Sequence, residues 1–341
     1  MRGLPSKESP VKNGAGLSAK CARGSLTLFR TGFMYEITPL LDDPIRNLKT
    51  IRDVFRWAIS EMETADLSYG HGSPDSYEEA SFLVCRGLKL PFEHFEEFLD
   101  SHLTQSELSR LVHMVDRRVH DKTPVAYLLK EAWLTEHMFY IDERALIPRS
   151  YIAELIEEDF EPWIENPDEI GTVLDMCTGS GCLAILAQGI FPNASVTGAD
   201  LSADALEVAR KNRELYGMQD TLELVESDLF ANLEGRRFDL IISNPPYVTQ
   251  AAMDALPAEY RHEPAMALGA GDDGMDIVRR MLPEARHHLT ENGRMIVEVG
   301  DGAAAVEALF PGLDIMWLVT SGGDDQVFLV TKDALDEYFG S

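Results

Sequence analysis

Apolar residues recur at helical spacing through the first part of the chain. Residues three or four positions apart lie on one face of a helix, so each such segment is predicted to be an amphipathic helix. The segments are residues 48–67, 77–88, 92–99 and 104–119. Thr104 and Glu107 fit a capping box at the start of the last one. The pattern predicts a small N-terminal helical bundle over residues 34–121.

The apolar pattern changes after this bundle. Aromatic and β-branched residues alternate around Trp133 to Tyr140, which predicts a β-hairpin within a linker over residues 122–150. Beyond it, short apolar runs alternate with helical patterns, as is typical of an α/β domain with a parallel sheet. The predicted strands are residues 173–176, 194–199, 222–226, 238–242, 294–299, 314–320 and 325–331. The expectation is an α/β domain over residues 151–341.

The first 33 residues have a different composition. They contain six basic residues and one acidic residue, with many glycines and serines. We interpret residues 1–33 as a disordered leader, or as sequence upstream of a true start at Met34. A transit peptide is the third interpretation.

The first predicted strand of the α/β domain runs into a glycine-rich turn that a helix follows. Glycines let the backbone approach a ligand closely, and amides at a helix start can meet a carboxylate. The turn consists of Cys177, Thr178, Gly179, Ser180 and Gly181. We expect it to bind a cofactor, with Asp175 on the preceding strand taking an ammonium group of that cofactor.

Polar residues also follow the next two strands. Asp200 and the residue after it, Leu201, lie about twenty residues beyond the glycine turn. In nucleotide-binding sheets an acidic residue at this position holds a ribose diol. Asp228 can reach an adenine amino group, and Leu229 can pack on the ring. A nicotinamide-binding dehydrogenase is the main competitor, but Cys177 replaces the first glycine of its fingerprint, and the third is also missing. The pattern therefore favours S-adenosylmethionine.

The fourth strand ends in the most informative motif, in which Asn244 and Pro245 precede Pro246 and Tyr247. Proline fixes its own φ and holds the preceding residue extended. The Asn244 side chain and the Pro245 carbonyl thus offer a rigid pair of acceptors, and Tyr247 adds an aromatic face. Such a pair can aim a planar amide nitrogen and favour the charge it gains on attack. A methyltransferase that binds an NH2 group is expected, and an ordinary turn is the alternative.

Two further residues are candidates for the site. Arg149 lies at the end of the linker and is predicted to orient the cofactor or the active-site loop, with a surface ion pair as the alternative. The long connection 249–270 is predicted to be a lid, in which residues 260–264, including Tyr260 and His262, close over the substrate. Of these, His262 is a candidate for substrate binding. A general base is not required, because the methylated nitrogen is acidic enough to lose its proton to water.

The charge of the chain bears on its substrate. Acidic residues number 58 against 30 basic ones, for a formal net charge of −28. Such a field repels phosphate backbones and attracts basic polypeptides, although it also promotes solubility. DNA adenine methyltransferases share the Asn-Pro-Pro-Tyr motif, but they need a basic groove, and the sequence contains none. A basic protein substrate is therefore favoured.

Hydropathy and cysteine spacing exclude other classes. No apolar run approaches the roughly twenty residues that a membrane span needs. The four cysteines have no paired C-x-x-C spacing, so neither a disulfide framework nor a metal site is expected. Reduced thiols in a cytoplasmic protein are the simplest interpretation.

Residues 57–332 resemble the glutamine amide methyltransferases that act on translation proteins. The motifs that carry the resemblance are Ile147-Pro148-Arg149-Ser150, residues 175–182, Asn244-Pro245-Pro246-Tyr247, Tyr69-Gly70-His71-Gly72 and residues 259–264. The first two are similar to the branch that modifies the third large-subunit ribosomal protein. The release-factor branch has glycine at the position of Cys177 and Pro-Glu-Thr after the arginine.

The resemblance implies a Rossmann-like class I fold with seven strands, the last two forming an antiparallel hairpin. It implies methyl transfer from S-adenosylmethionine to a glutamine side-chain nitrogen, with residues 244–247 holding the substrate. It also implies that the N-terminal domain recognises the substrate protein. The alternatives are a release-factor methyltransferase, a nucleic-acid adenine methyltransferase and a non-catalytic ribosome-assembly factor.

Overall fold

The computed structural model describes residues 41–164 and 166–340. The leader predicted for residues 1–33 lies outside this part of the chain. The chain divides into two units, residues 1–47 and residues 48–341. Within the first unit, α1 spans Asp42–Asn47. The predicted boundaries after residues 121 and 150 both fall inside the second unit, and the division into domains stays a prediction.

The second unit begins with the four predicted helical segments and one further helix, which falls within the predicted linker 122–150. They are α2 (Ile51–Thr64), α3 (Ser76–Gly87), α4 (Phe95–Phe98), α5 (Gln105–His120) and α6 (Val125–Leu129). The Thr104–Glu107 capping box is present at the start of α5. The helix predicted for residues 92–99 is instead a 3-10 turn followed by the four-residue α4. Only Phe95 of this segment's helical residues is buried, so little packing supports a longer helix.

The predicted hairpin follows. Strands β1 (Ala132–Leu134) and β2 (His137–Phe139) pair antiparallel, with Trp133 opposite Met138. A helix, α7 (Ile152–Glu157), then leads to the large sheet.

The large sheet has seven strands in the order β5-β4-β3-β6-β7-β9-β8. They are β3 (Thr172–Met176), β4 (Ser195–Asp200), β5 (Leu222–Glu226), β6 (Phe238–Ser243), β7 (Leu289–Glu298), β8 (Met316–Thr320) and β9 (Gly323–Thr331). β3 to β7 are parallel, whereas β9 is antiparallel to both β7 and β8. The α/β class and the antiparallel final hairpin are confirmed.

The start of β7 differs most from the predicted strand boundaries. β7 begins at Leu289 rather than Arg294, because its register against β6 shifts after the Phe238–Leu289 pair. The irregular stretch at this shift includes Glu291, Asn292 and Gly293, whose polarity hid the start of the strand from the apolar pattern.

Helices cover both faces of the sheet. They are α8 (Cys182–Ile190), α9 (Ala203–Leu215), α10 (Gln250–Ala255), α11 (Asp276–His288), α12 (Ala303–Leu309) and α13 (Lys332–Phe339). One hydrophobic cluster contains residues of α7 and α8, and another contains residues of α11 to α13. In the described ranges, no helix combines the length and the apolar character needed to cross a bilayer. The carboxyl ends of β3 to β7 meet at one edge, where ligands bind in such sheets.

Candidate functional site

Two adjoining cavities lie at this edge of the sheet. The first has a volume of about 1050 Å³ and the second about 590 Å³, each counted with its open mouth. Leu146, Arg149, Asn244 and Ala267 line both cavities. The end of β6 therefore contributes to the walls of both cavities.

Most of the residues predicted to bind a cofactor line the first cavity. They are Cys177, Thr178, Gly179, Ser180, Asp200, Leu201, Asp228, Leu229 and Asn244. The structure thus brings together residues that follow β3, β4, β5 and β6, as expected from strands that end at a common edge. What they bind stays a prediction at this point.

The glycine turn has the backbone conformation that its composition favours. Gly179 and Gly181 have φ values of +55° and +79°, in the left-handed region. The space where a side chain at Gly179 would begin is open, so the backbone there is accessible to a ligand. A Cβ at Gly181 would lie 3.1 Å from the Ala209 Cβ, so Gly181 permits close packing against α9 rather than lining the cavity.

Two acidic residues complete the first cavity. Asp200 accepts hydrogen bonds from the backbone amides of Gly179 and Ser202, each at 2.8 Å, and its burial raises its pKa. The Asp228 carboxylate is half-exposed and lies 2.9 Å from the Arg280 guanidinium. Asp200 therefore fixes the turn to β4, whereas Asp228 lies at the open side of the cavity.

Asp175 is not among the lining residues. Its Oδ2 accepts hydrogen bonds from the Thr178 hydroxyl at 2.5 Å and the Ala184 amide at 3.0 Å, whereas its buried Oδ1 has no partner in the described part of the chain. Burial raises its pKa to about 7. Asp175 therefore stabilises the start of α8, and its binding of an ammonium group stays a prediction.

The Asn-Pro-Pro-Tyr segment lies between the two cavities. Asn244 lines both, Pro246 lines the first, and Pro245 and Tyr247 line the second. Within residues 41–164 and 166–340, no group donates a hydrogen bond to the Asn244 side chain or to the Pro245 carbonyl. Both acceptors are therefore available to a ligand at the junction.

Glu298, which the sequence interpretation missed, holds Tyr247. It is fully buried at the end of β7, where it accepts hydrogen bonds from the Ser150 hydroxyl at 2.5 Å and the Tyr151 amide at 2.9 Å. The Tyr247 hydroxyl donates to it at 3.3 Å. Burial raises the Glu298 pKa to about 7. Glu298 could have been found in the sequence as an acidic residue at the carboxyl end of a strand, which is how Asp200 was identified.

Arg149 forms a buried ion pair rather than the surface pair considered as an alternative. Its guanidinium makes two hydrogen bonds to Glu263, at 2.6 and 2.7 Å, and the Ile147 amide donates to the same carboxylate at 3.2 Å. The Glu263 side chain has no exposed surface, and that of Arg149 is 25% exposed. Burial opposes the charge of Glu263, but His71 and Arg149 outweigh it and lower its pKa to about 2.

His262 lines neither cavity. Its Nε2 lies 2.9 Å from the carbonyl oxygen of Asp121, just after α5. The geometry therefore gives no support to a role of His262 in substrate binding. On the same segment, Glu263 holds Arg149. Of the predicted lid residues 260–264, Tyr260 lines the second cavity and Pro264 lines the first.

Comparisons with known proteins agree with this architecture. A family model described as the methyltransferase small domain matches residues 162–260. The ribosomal protein uL3 glutamine methyltransferase of Burkholderia pseudomallei is 48% identical over 299 residues, which cover 86% of this chain and 97% of that protein. The protein of the same name from Bordetella pertussis is 48% identical, covering 85% and 98%. That of Francisella tularensis is 44% identical, covering 87% and 94%.

These relatives confirm the resemblance inferred from the motifs, including its branch. This chain belongs to the ribosomal protein uL3 glutamine methyltransferase family.

Proposed function

We propose that this methyltransferase transfers a methyl group from S-adenosylmethionine to the side-chain nitrogen of a glutamine in ribosomal protein uL3. The observation that carries the proposal is the pair of available acceptors, Asn244 and Pro245, at the junction of the two cavities. The names of the related proteins point to the same reaction.

The first cavity fits S-adenosylmethionine. The open backbone at Gly179 admits a ligand closely, and Asp200 lies at the position that holds a ribose diol. Asp175 does not line this cavity, and a contact of its buried Oδ1 with the ammonium group of the cofactor stays a prediction. When bound, S-adenosylmethionine supplies an electrophilic methyl group on a sulfonium.

The second cavity accommodates the substrate glutamine. The Asn244 side-chain oxygen and the Pro245 carbonyl accept hydrogen bonds from its two N–H groups, which aims the nitrogen toward the first cavity. Tyr247 packs against the amide plane, and Glu298 holds its hydroxyl. These acceptors also favour the positive charge that develops on the nitrogen. Water can take the departing proton, because the methylated nitrogen is strongly acidic and needs no general base such as His262, which does not line the cavity.

The acidity of the chain suits this substrate. Ribosomal proteins are basic, and a net charge of −28 speeds encounters with basic partners while repelling nucleic acid. A ribosomal substrate also supports a cytoplasmic location for the reaction.

Methyl transfer from radiolabelled S-adenosylmethionine onto purified uL3, a release factor and DNA tests the proposal. We expect label on uL3 alone, confined to one glutamine that mass spectrometry locates. Replacing that glutamine with asparagine is the matched control and should abolish labelling. Label on the release factor alone or on DNA alone would overturn the assignment. Cofactor binding without any label would favour an assembly factor instead.

A further inference from the structure

Tyr260 lines the second cavity and belongs to the predicted lid 249–270, not to the glycine turn or the Asn-Pro-Pro-Tyr segment. It lines this cavity together with Asn244, Pro245 and Tyr247. The remaining lining is largely aliphatic and consists of Leu146, Val248, Leu256, Ala267 and Leu268, besides Arg149. This composition suits the two methylenes and the flat amide of a glutamine side chain.

The turn that carries Tyr260 is anchored on both sides. Glu259 accepts hydrogen bonds from the Ser68 amide at 2.9 Å and from Arg118 of α5 at 3.1 Å. Glu263 binds Arg149 of the linker. Glu259 and Glu263 are both buried, so breaking either tie would leave an unpaired charge inside the protein. The backbone on either side of Tyr260 is therefore held in place.

The ring of Tyr260 is held from the N-terminal region as well. The His71 ring centroid lies 4.5 Å from that of Tyr260, and the Arg149 guanidinium lies 5.4 Å from it. Only 3% of the His71 side chain is exposed, so its position is set by packing. A cation over an aromatic face adds attraction to this arrangement.

Gly70 leaves room for the Tyr260 hydroxyl because it has no side chain. A Cβ at this position would lie 2.4 Å from the Tyr260 hydroxyl oxygen and 3.4 Å from the ring carbon that carries it. The φ of Gly70 is outside the left-handed region, so its backbone conformation alone does not require glycine. The space taken by the Tyr260 hydroxyl is what requires it.

We propose that Tyr260 contacts the substrate glutamine and that Gly70 and His71 position it, which makes this part of the N-terminal region a determinant of substrate recognition. The inference rests on the proposed function, because it takes the second cavity as the glutamine site. It goes further in assigning a substrate contact to Tyr260 and a positioning role to residues 70 and 71.

The Gly70→Ala variant tests the proposal, with Gly189→Ala as its matched control. Position 189 lies on α8 with open space where the side chain would begin. In Gly70→Ala we expect kcat/KM for uL3 to fall about ten- to hundredfold, mainly through a higher KM, with the dissociation constant of S-adenosylmethionine unchanged. Gly189→Ala should keep wild-type constants.

The double variant Gly70→Ala/Tyr260→Phe removes the hydroxyl that the new methyl group meets. We expect it to recover most of the lost kcat/KM for uL3. An unchanged KM for uL3 in Gly70→Ala would refute the proposal. So would a fall in the active fraction alone, seen as a lower kcat with unchanged KM and a lower unfolding midpoint. If the wild-type protein labels no uL3, the proposed function itself has failed, which is a separate result.

Discussion

Replacing Glu263 with glutamine is expected to destabilise the protein strongly while keeping the shape of the side chain. The carboxylate is fully buried and faces Arg149, His71 and the Ile147 amide. The amide of glutamine carries no charge to balance the guanidinium. Removing one member of a buried ion pair typically costs about 3–5 kcal/mol, because the other charge is left uncompensated.

The lowered pKa of Glu263 indicates a similar loss of stability when its charge is removed. Its value of about 2 lies below the ordinary 4.5, which corresponds to about 3 kcal/mol of stabilisation of the charged form. Because the folded-state pKa is the lower one, this stability is present above pH 4.5. It is lost as the pH falls from 4.5 toward about 2.

Urea unfolding of wild type and Glu263→Gln between pH 3 and pH 7 measures both effects. At neutral pH we expect the free energy of unfolding to drop by about 3 kcal/mol, and the difference to shrink below pH 4.5. Glu207→Gln is the control, because it breaks the exposed pair with Arg210 and should cost less than about 1 kcal/mol. A loss no larger than that of the control, or a difference independent of pH, would refute the reasoning.

Predictions for three other substitutions follow from the same structure. Gly181→Ala should lower the free energy of unfolding by about 1–2 kcal/mol, because φ is +79° and the new Cβ meets Ala209, whereas Gly189→Ala in the adjacent helix should raise it by about 0.5–1 kcal/mol in the same urea assay. Glu298→Gln should gain stability relative to wild type as the pH rises from 4.5 past 7, because the raised pKa makes the buried carboxylate increasingly costly in that window. A difference that stays constant between pH 5 and pH 8 would contradict the account of Glu298.

The fold was largely predictable, because its elements have strong patterns. The four apolar runs that end in polar residues indicated β3 to β6 and their common edge. The helix predicted for residues 92–99 does not form as one α-helix, because only Phe95 of its helical residues is buried and little packing supports it. The helix α13 was missed although its apolar residues, Ala334, Leu335, Tyr338 and Phe339, recur at helical spacing and pack on the core.

The candidate site was predictable where a residue follows a strand and not where distant segments meet. Asn244 and Asp200 are local features of strand ends. Tyr260, by contrast, owes its place to Gly70 and His71, which lie far away along the chain. A single sequence contains no signal for such a contact, because spacing reports only on neighbours within one element.

The central claim is that Asn244 holds the nitrogen that is methylated. The most direct test measures methyl transfer to uL3 and binding of S-adenosylmethionine in the Asn244→Ala variant. Asn193→Ala, at an exposed position, is the control. We predict that transfer by Asn244→Ala falls about a hundredfold or more, with cofactor affinity within about tenfold of wild type. Transfer at a rate near that of wild type would contradict the account.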